Sequence, residues 1–469
     1  MNKEKQLLKN TAIISIGKIC TQIITFFLLP LYTAVLSTEE YGIVDILNTL
    51  IFLLIPILTL QIEQGIFRYL LEKKDEKKEQ QKVITSSLLF CALQTIIYLI
   101  LFTIISPLIH NNYKYFLSVN LVANVFSSVL LQTSRGLQDN VTYAIGSFLS
   151  GFFTVILNVI FIVFFKMGAY GILTATLIGN VICTLYIVFK KKIYQYIKIK
   201  YFDKYVLKNM LKYSIPLIPN ALSWWIVNVS DRMIVTLFLG VATNGIYSAA
   251  NKFSGVLVAL NGIFNITWTE SAVMNIKGED KDEFFTKMFS TTLKIFGSLV
   301  LGIIAFMPFV FPILINAKFG DAYYQIPILL VGIVFNILVS FLGAIYVAKK
   351  ITKEISKTSI LAAIINIVIN LSLIKFIGLY AASLSTTIAY FIMFIYRYID
   401  SKKYVKIKVN PIFITSMIVI YAITIITYYI RNFVISGIVA LIVVIYTIYI
   451  NKNNAKFIVN ILKNKFIKR

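Results

Sequence analysis

The sequence predicts an all-α membrane protein with about fourteen transmembrane helices: two pseudo-symmetric six-helix lobes plus two C-terminal helices. Three observations predict it. Apolar residues are in excess, they come in blocks of membrane-spanning length, and basic residues gather in alternate connections. Of 469 residues, 58% are hydrophobic and only 14% charged, with a mean hydropathy of +0.82. Soluble domains run nearer half apolar and a quarter charged, and a soluble fold of this composition would expose large apolar patches. Each block approaches the roughly 20 residues with which an α-helix crosses hydrocarbon. The blocks lack the period-2 alternation of a membrane barrel, and without water the backbone must satisfy itself within helices.

The predicted spans are Thr11–Thr33, Tyr41–Gln61, Val83–Leu108, Tyr115–Ser134, Tyr143–Phe165 and Ala169–Phe189. After a basic stretch come Ser214–Leu239, Asn244–Trp268, Ser290–Ile315, Tyr324–Ala348, Ser356–Phe376, Leu379–Ile399, Pro411–Ile430 and Phe433–Ile450. The tightest breaks, Lys166–Gly168 and Arg431–Asn432, decide whether the count is fourteen or falls to twelve or thirteen. Pro56, Pro308 and Pro312 interrupt spans and invite kinks.

Charge fixes the expected orientation. With the N-terminus inside, about 36 of the 45 Lys and Arg fall in cytoplasmic segments and about 5 in external loops, as the positive-inside rule requires. The clusters Lys73–Lys82, Lys190–Lys212, Lys349–Lys357, Arg397–Lys408 and Lys452–Arg469 all fall on one side. The expected location is therefore a bacterial cytoplasmic membrane with both termini cytoplasmic. A net charge of +25 reads as topology and attraction to anionic membrane lipids, not as nucleic-acid binding.

Several chemistries find no support. The first block is long and carries Lys18, so no cleavable signal peptide is expected. Cys20, Cys91 and Cys183 sit in separate spans without metal or redox spacing and read as packing residues. His110, the single histidine, falls at an external helix end. No Walker loop, zinc signature or serine-nucleophile elbow is present, so no cofactor, metal or catalytic residue is expected.

An internal repeat organises the chain. Gly42-Ile-Val-Asp-Ile-Leu-Asn48 opens the second span, and Gly245-Ile-Tyr-Ser-Ala-Ala-Asn251 opens the eighth. Asn158 and then Gly168-Ala-Tyr-Gly171 recur as Asn370 and then Gly378-Leu-Tyr-Ala381. The offsets are about 203 and about 210 residues, so spans 1–6 and 7–12 read as parallel halves of a kind common in secondary transporters. The expected domains are residues 1–189, a basic linker 190–213, residues 214–400, and a 401–469 appendage with the last two spans.

A charge at mid-bilayer costs about 2.5–3.5 kcal/mol on insertion scales, so such residues normally face a cavity or a partner. At 100° per residue, Thr11, Ser15, Lys18, Gln22 and Thr25 share one face of span 1. Asp45, Asn48, Thr49, Thr59 and Glu63 share an arc on span 2, and Asn220, Ser223, Ser230 and Asp231 on span 7, with Arg232 beside them. Span 8 adds Ser248, Asn251 and Lys252, the repeat positions of Asp45, Asn48 and Thr49; Lys294 is a further intramembrane cation. These stripes are expected to line a water-filled cleft. The competing reading is that the charges pair with one another or snorkel to the interface.

The stretch Pro30-Leu-Tyr-Thr-Ala-Val-Leu-Ser-Thr-Glu-Glu-Tyr-Gly-Ile-Val-Asp45 resembles the N-terminal signature of bacterial polysaccharide-biosynthesis flippases, as does Gly65-Ile-Phe-Arg68. Asp231-Arg232 with Gly245 to Lys252, and Asn366-Ile-Val-Ile-Asn370 with Gly378 to Ala382, resemble that family's later motifs in the correct order. The resemblance implies the two-lobed fold of multidrug and toxic-compound extrusion transporters. It also implies movement of polyprenyl-diphosphate-linked oligosaccharides from the cytoplasmic to the outer leaflet, with a polysaccharide polymerase and export machinery as partners. A cationic cleft of that kind fits Lys18, Arg68 and Lys252, with Gln22, Asn48, Arg232 and Asn251 as further contacts. Asp231, Asp45 and Glu63 are the candidate ion-coupling carboxylates. One departure is that the clearest mid-span cations are lysines, which cannot fork to a phosphate as arginine does. The rival readings are a multidrug antiporter, a membrane polymerase or glycosyltransferase, and a lipid II flippase.

Overall fold

The computed structural model describes residues 26–73, 76–108 and 111–467. Among them the regular structure is helical throughout, with no strand. The first predicted span falls largely outside the described residues, as do Cys20 and His110. The helices are α1 Leu29–Val35, α2 Thr38–Thr59, α3 Ile62–Glu72, α4 Lys77–Ile105, α5 Lys114–Gly136, α6 Asn140–Val159, α7 Gly168–Lys190 and α8 Lys204–Ser214. They continue with α9 Ile218–Leu239, α10 Val241–Asn275, α11 Lys281–Leu314, α12 Ala322–Ala348, α13 Thr352–Ile377, α14 Tyr380–Ser401, α15 Pro411–Ile430 and α16 Phe433–Ile467.

Among the described residues, 12 helical stretches are long and apolar enough to cross a membrane. They correspond to twelve of the fourteen predicted spans, all but the first, which lies largely outside the described residues, and the twelfth. That helix, α14, is 22 residues long but too polar, and its polarity has a local cause. Ser383 Oγ donates to Gln325 Oε1 at 2.6 Å and Thr387 Oγ1 to the Ile328 carbonyl at 2.8 Å, so its hydroxyls are spent on α12. Both doubtful breaks are real: Lys166 and Gly168 have φ of 51° and 56°, and Arg431 has 57°. A left-handed residue cannot continue a right-handed helix, so each marks a true end.

By their contacts the residues fall into two compact units, Met1–Ser248 and Ala249–Arg469, the division lying inside α10. In the first unit, α2 starts at a capping box: Ser37 Oγ accepts from the Glu40 N–H at 3.0 Å and Glu40 Oε2 from the Ser37 N–H at 2.9 Å. The motif residues Ser37-Thr-Glu-Glu40 thus set where the helix begins. An apolar cluster of Ile62, Ile66, Leu70, Val83, Ile84 and Met210 joins α3, α4 and α8. In the second unit, Trp268 stacks on Phe341 with ring centres 4.1 Å apart and donates from Nε1 to the Phe341 carbonyl. Tyr323 and Tyr428 stack at 4.1 Å and each donates its hydroxyl to the other's carbonyl, fastening α15 to α12. The remaining helix faces are apolar and exposed: Leu101, Ile104, Ile418 and Leu441 are all more than half exposed, as surfaces in hydrocarbon must be.

Candidate functional site

The polar stripes of α2, α9 and the start of α10 meet in the first unit. Asp45 is 8% exposed and forms the hub. Arg232 Nη1 reaches its Oδ1 at 2.9 Å, and Ser248 Oγ donates to the same oxygen at 2.7 Å. Asn244 Nδ2 donates to Asp45 Oδ2 and to the Gly42 carbonyl, each at 3.3 Å. Behind Arg232, Asp231 is buried and accepts from the Tyr247 hydroxyl and from the Arg232 N–H. Trp225 Nε1 donates to the Thr49 carbonyl at 3.0 Å, which ties α9 to α2 a turn further along.

Helix approach is what brings these groups within reach. A Cβ on Gly42 would lie 2.0 Å from the Val241 carbonyl oxygen, and one on Gly245 would lie 1.9 Å from that of Thr38. Only glycine permits this crossing. The two contacts are equivalent, because Thr38 and Val241 stand in the same register as Gly42 and Gly245. Asp45 and Ser248, which are hydrogen-bonded, are likewise 203 positions apart. Residues that the repeat makes equivalent therefore touch one another.

Chemically the cluster holds two carboxylates against one guanidinium, and a charge so placed is held only while its partners remain. Arg232 spends Nη1 on Asp45, while its buried Nε has no hydrogen-bond partner among the described residues.

Lys18 and Gln22 lie outside the described residues. Asn48 is half-buried one turn past Asp45. Glu63 and Arg68 sit on α3, beyond a break where Leu60 and Gln61 are both left-handed, with φ of 50° and 56°. Arg68 is exposed, pairs with Glu72 at 2.9 Å and lies over the Tyr213 ring. Glu63 is 6% exposed and its Oε2 has no hydrogen-bond partner among the described residues. Burial raises the pKa of its carboxyl, outweighing hydrogen bonds from its own backbone and Thr59. Asn251 and Lys252 are half-buried on α10, in the second unit.

Sequence reasoning missed two members of this cluster and misread one residue of the second unit. Asn244 stands just before the second copy of the repeat and Tyr247 within it as an aromatic residue, so neither fell on a polar stripe. Arg397 was counted with the basic cluster at a helix end. It is instead 4% exposed, donating to Thr358 Oγ1 and to the Val339 and Ile355 carbonyls.

Comparison with known proteins places these features. The sequence profile of a family described as "Polysaccharide biosynthesis protein" matches residues 7–273. No curated protein matches the chain by sequence. Among solved structures, the lipid II flippase MurJ in an inward closed conformation aligns with a TM-score of 0.71 and 17% identity, over 95% of this chain and 100% of that one. An inward-facing multidrug-resistance MATE transporter of the MOP superfamily aligns with a TM-score of 0.65 and 15% identity, over 83% and 98%. A MOP-superfamily transporter from Pyrococcus furiosus aligns with a TM-score of 0.58 and 14% identity, over 84% and 96%. At these identities the likeness is one of fold: the chain is a multi-pass helical membrane protein of the MATE and MurJ architecture.

Proposed function

The chain belongs to the polysaccharide biosynthesis protein family, and from that premise we propose that it is a flippase for polyprenyl-diphosphate-linked oligosaccharides. The observation that carries the reading is the coincidence in one chain of that family with the fold of a lipid II flippase. A diphosphate and its sugar hydroxyls cannot enter hydrocarbon without losing hydration that nothing there replaces. A cleft lined by cations, amides and hydroxyls replaces it while the polyprenyl tail stays in lipid. Alternating access between the proposed lobes, residues 1–189 and 214–400, then offers the head group to each leaflet in turn. No covalent step is required.

In this reading Lys18, Arg68 and Lys252 attract the diphosphate, with Gln22, Asn48 and Asn251 as hydrogen-bonding neighbours. Arg232 serves the Asp45 hub and reaches substrate only when that pair opens. Asp231, Asp45 and Glu63 are the carboxylates available for ion coupling. Both termini face the cytoplasm, so cysteines introduced at Asn2, Lys200 and Lys468 resist an impermeant thiol reagent in intact cells.

One observation favours a second reading, export of organic cations: the buried cluster carries one more acid than base. Proteoliposomes separate the two. The flippase reading expects translocation of a short-chain polyprenyl-diphosphate oligosaccharide, cut about tenfold by Lys18→Ala with Lys252→Ala and restored better by Arg than by Gln. Full flux in the double Ala variant, or transport of an organic cation with no lipid-linked flux, overturns it.

A further inference from the structure

At the basic ends of the first unit's helices, the start of α4, the end of α7 and the segment after α7 wall a cavity of about 670 Å³. Lys77 enters it from α4, Lys190 from α7, and Lys191, Lys192 and Lys198 from the following segment. Of these five, only Lys191 has an acid within ion-pair distance among the described residues, Asp139 at 2.9 Å. Of the described acids flanking Lys77, Glu76 is engaged by Lys73 at 3.2 Å and Glu79 by Lys82 at 2.7 Å. Among the described residues, four lysines thus converge on one hollow with no acid within ion-pair distance.

The hollow is also held in shape. Thr85 Oγ1 donates to the Tyr196 carbonyl at 2.8 Å, and Gln81 Nε2 to that of Gln195 at 3.4 Å. Ile193 is buried in the apolar cluster of α3, α4 and α8. Lys192 itself has φ of 50°, a left-handed conformation that costs a non-glycine residue about 1 kcal/mol. Topology accounts for lysines on this side of the membrane. It does not account for their meeting in one pinned cavity, where mutual repulsion raises the energy until an anion enters.

We propose that this cavity binds a phosphoryl group, carried either by a lipid head group at the membrane surface or by a soluble phosphorylated compound. Its volume falls within the roughly 300–1,000 Å³ of small-ligand sites. Lysine ammoniums, as point charges, attract phosphate without demanding one orientation. Basic pockets between membrane helices at head-group level select anionic head groups in the same way. Its residues are none of those assigned to the transport path above, and binding here does not depend on that path.

The test uses the full-length protein in phosphatidylcholine nanodiscs, with inorganic pyrophosphate as probe in titration calorimetry. Native mass spectrometry reads retention of phosphatidylglycerol over phosphatidylcholine. Saturable binding of at least one probe is expected, weakened about tenfold in Lys77→Gln/Lys192→Gln/Lys198→Gln. Exposed charge changes of this kind leave folding within about 0.5 kcal/mol per site. A comparison variant, Lys402→Gln/Lys406→Gln/Lys408→Gln, removes as much charge elsewhere and should bind as wild type does. Competition of pyrophosphate by phosphatidylglycerol, or retention of that lipid alone, identifies the membrane as source; pyrophosphate binding without competition identifies a soluble ligand. No saturable binding of either probe, or equal loss in both triple variants, overturns the proposal.

Discussion

Gly42 and Gly245 are equivalent positions of the repeat, and their backbones pack against each other: the Gly245 nitrogen lies 3.0 Å from where a Gly42 Cβ would be. The flanking carbonyls of Thr38 and Val241 repeat the relation in reverse. A local two-fold relation therefore passes between the helix starts of α2 and α10. Three residues on, the same relation joins Asp45 to Ser248 in a hydrogen bond of 2.7 Å.

This crossing predicts an asymmetry among glycines. Ala at Gly42 or Gly245 must force backbone apart, at the about 1–3 kcal/mol typical of overpacking. Gly262, on the same α10, has nothing within 4 Å of an added Cβ. Gly262→Ala should hold or raise the melting temperature through helix propensity. Thermal melts of the three purified variants check this, and equal melting temperatures for all three would sink the account of the crossing.

The Asp45–Arg232 pair predicts strong coupling. Removing Arg232 leaves Asp45 buried without its cation, a loss that typically costs about 3–5 kcal/mol, whereas removing Asp45 leaves the partly exposed Arg232 beside Asp231. Arg232→Ala should destabilise by that order and Asp45→Ala by less, and the double variant by clearly less than the sum. A double-mutant cycle on unfolding in mild detergent measures the coupling; additive losses would show that the pair is not an energetic unit.

How much of this was legible follows from what periodicity can carry. Apolar blocks and charge bias gave the spans, and the two doubtful breaks are the places where Lys166, Gly168 and Arg431 turn left-handed. The repeat was visible as short matches because glycine is forced at Gly42 and Gly245, whereas the intervening apolar residues are free to drift. A stripe shows which face of a helix is polar but not whom it meets, so Arg232 read equally well as a cleft cation. Its partner stands 187 positions away. Arg397 misled for a related reason: a cation near a helix end looks interfacial until the neighbouring helices are known to cover it.

Arg397 carries the next prediction. Its guanidinium has no acid within ion-pair distance among the described residues and instead bonds α12 and α13 through Val339, Ile355 and Thr358. Lysine cannot span those acceptors from one point charge. Arg397→Lys should therefore destabilise by about 2 kcal/mol or more, since hydrogen bonds to charged groups are worth about 1.5–3 kcal/mol each. Its melting temperature should fall well below that of Lys402→Gln, which alters an exposed cation nearby. Indistinguishable melts would mean that the buried bonds contribute nothing net.

Glu63 gives stability a dependence on pH with a definite sign. Its carboxyl lies at the start of α3 beside the buried Ile62 and Ile66, and burial raises its pKa above the ordinary carboxylate value. A raised pKa means that the folded chain holds this proton more tightly than the unfolded chain. Below the unfolded value, about 4.3, both states are protonated and Glu63 contributes no slope. Between that value and the raised folded one, the unfolded chain loses its proton first, so stability falls as pH rises. Above the folded value the cost of a buried carboxylate is present in full. Glu63→Gln removes this slope while keeping the size of the side chain. The variant should melt close to wild type at about pH 4 and above it at about pH 8, because the Gln side chain has no proton to lose. Melting series of both proteins across that range decide the matter. If the difference between them stays constant with pH, Glu63 holds its proton equally tightly in the folded and unfolded chain, and its burial cannot be the cause of any pH dependence seen.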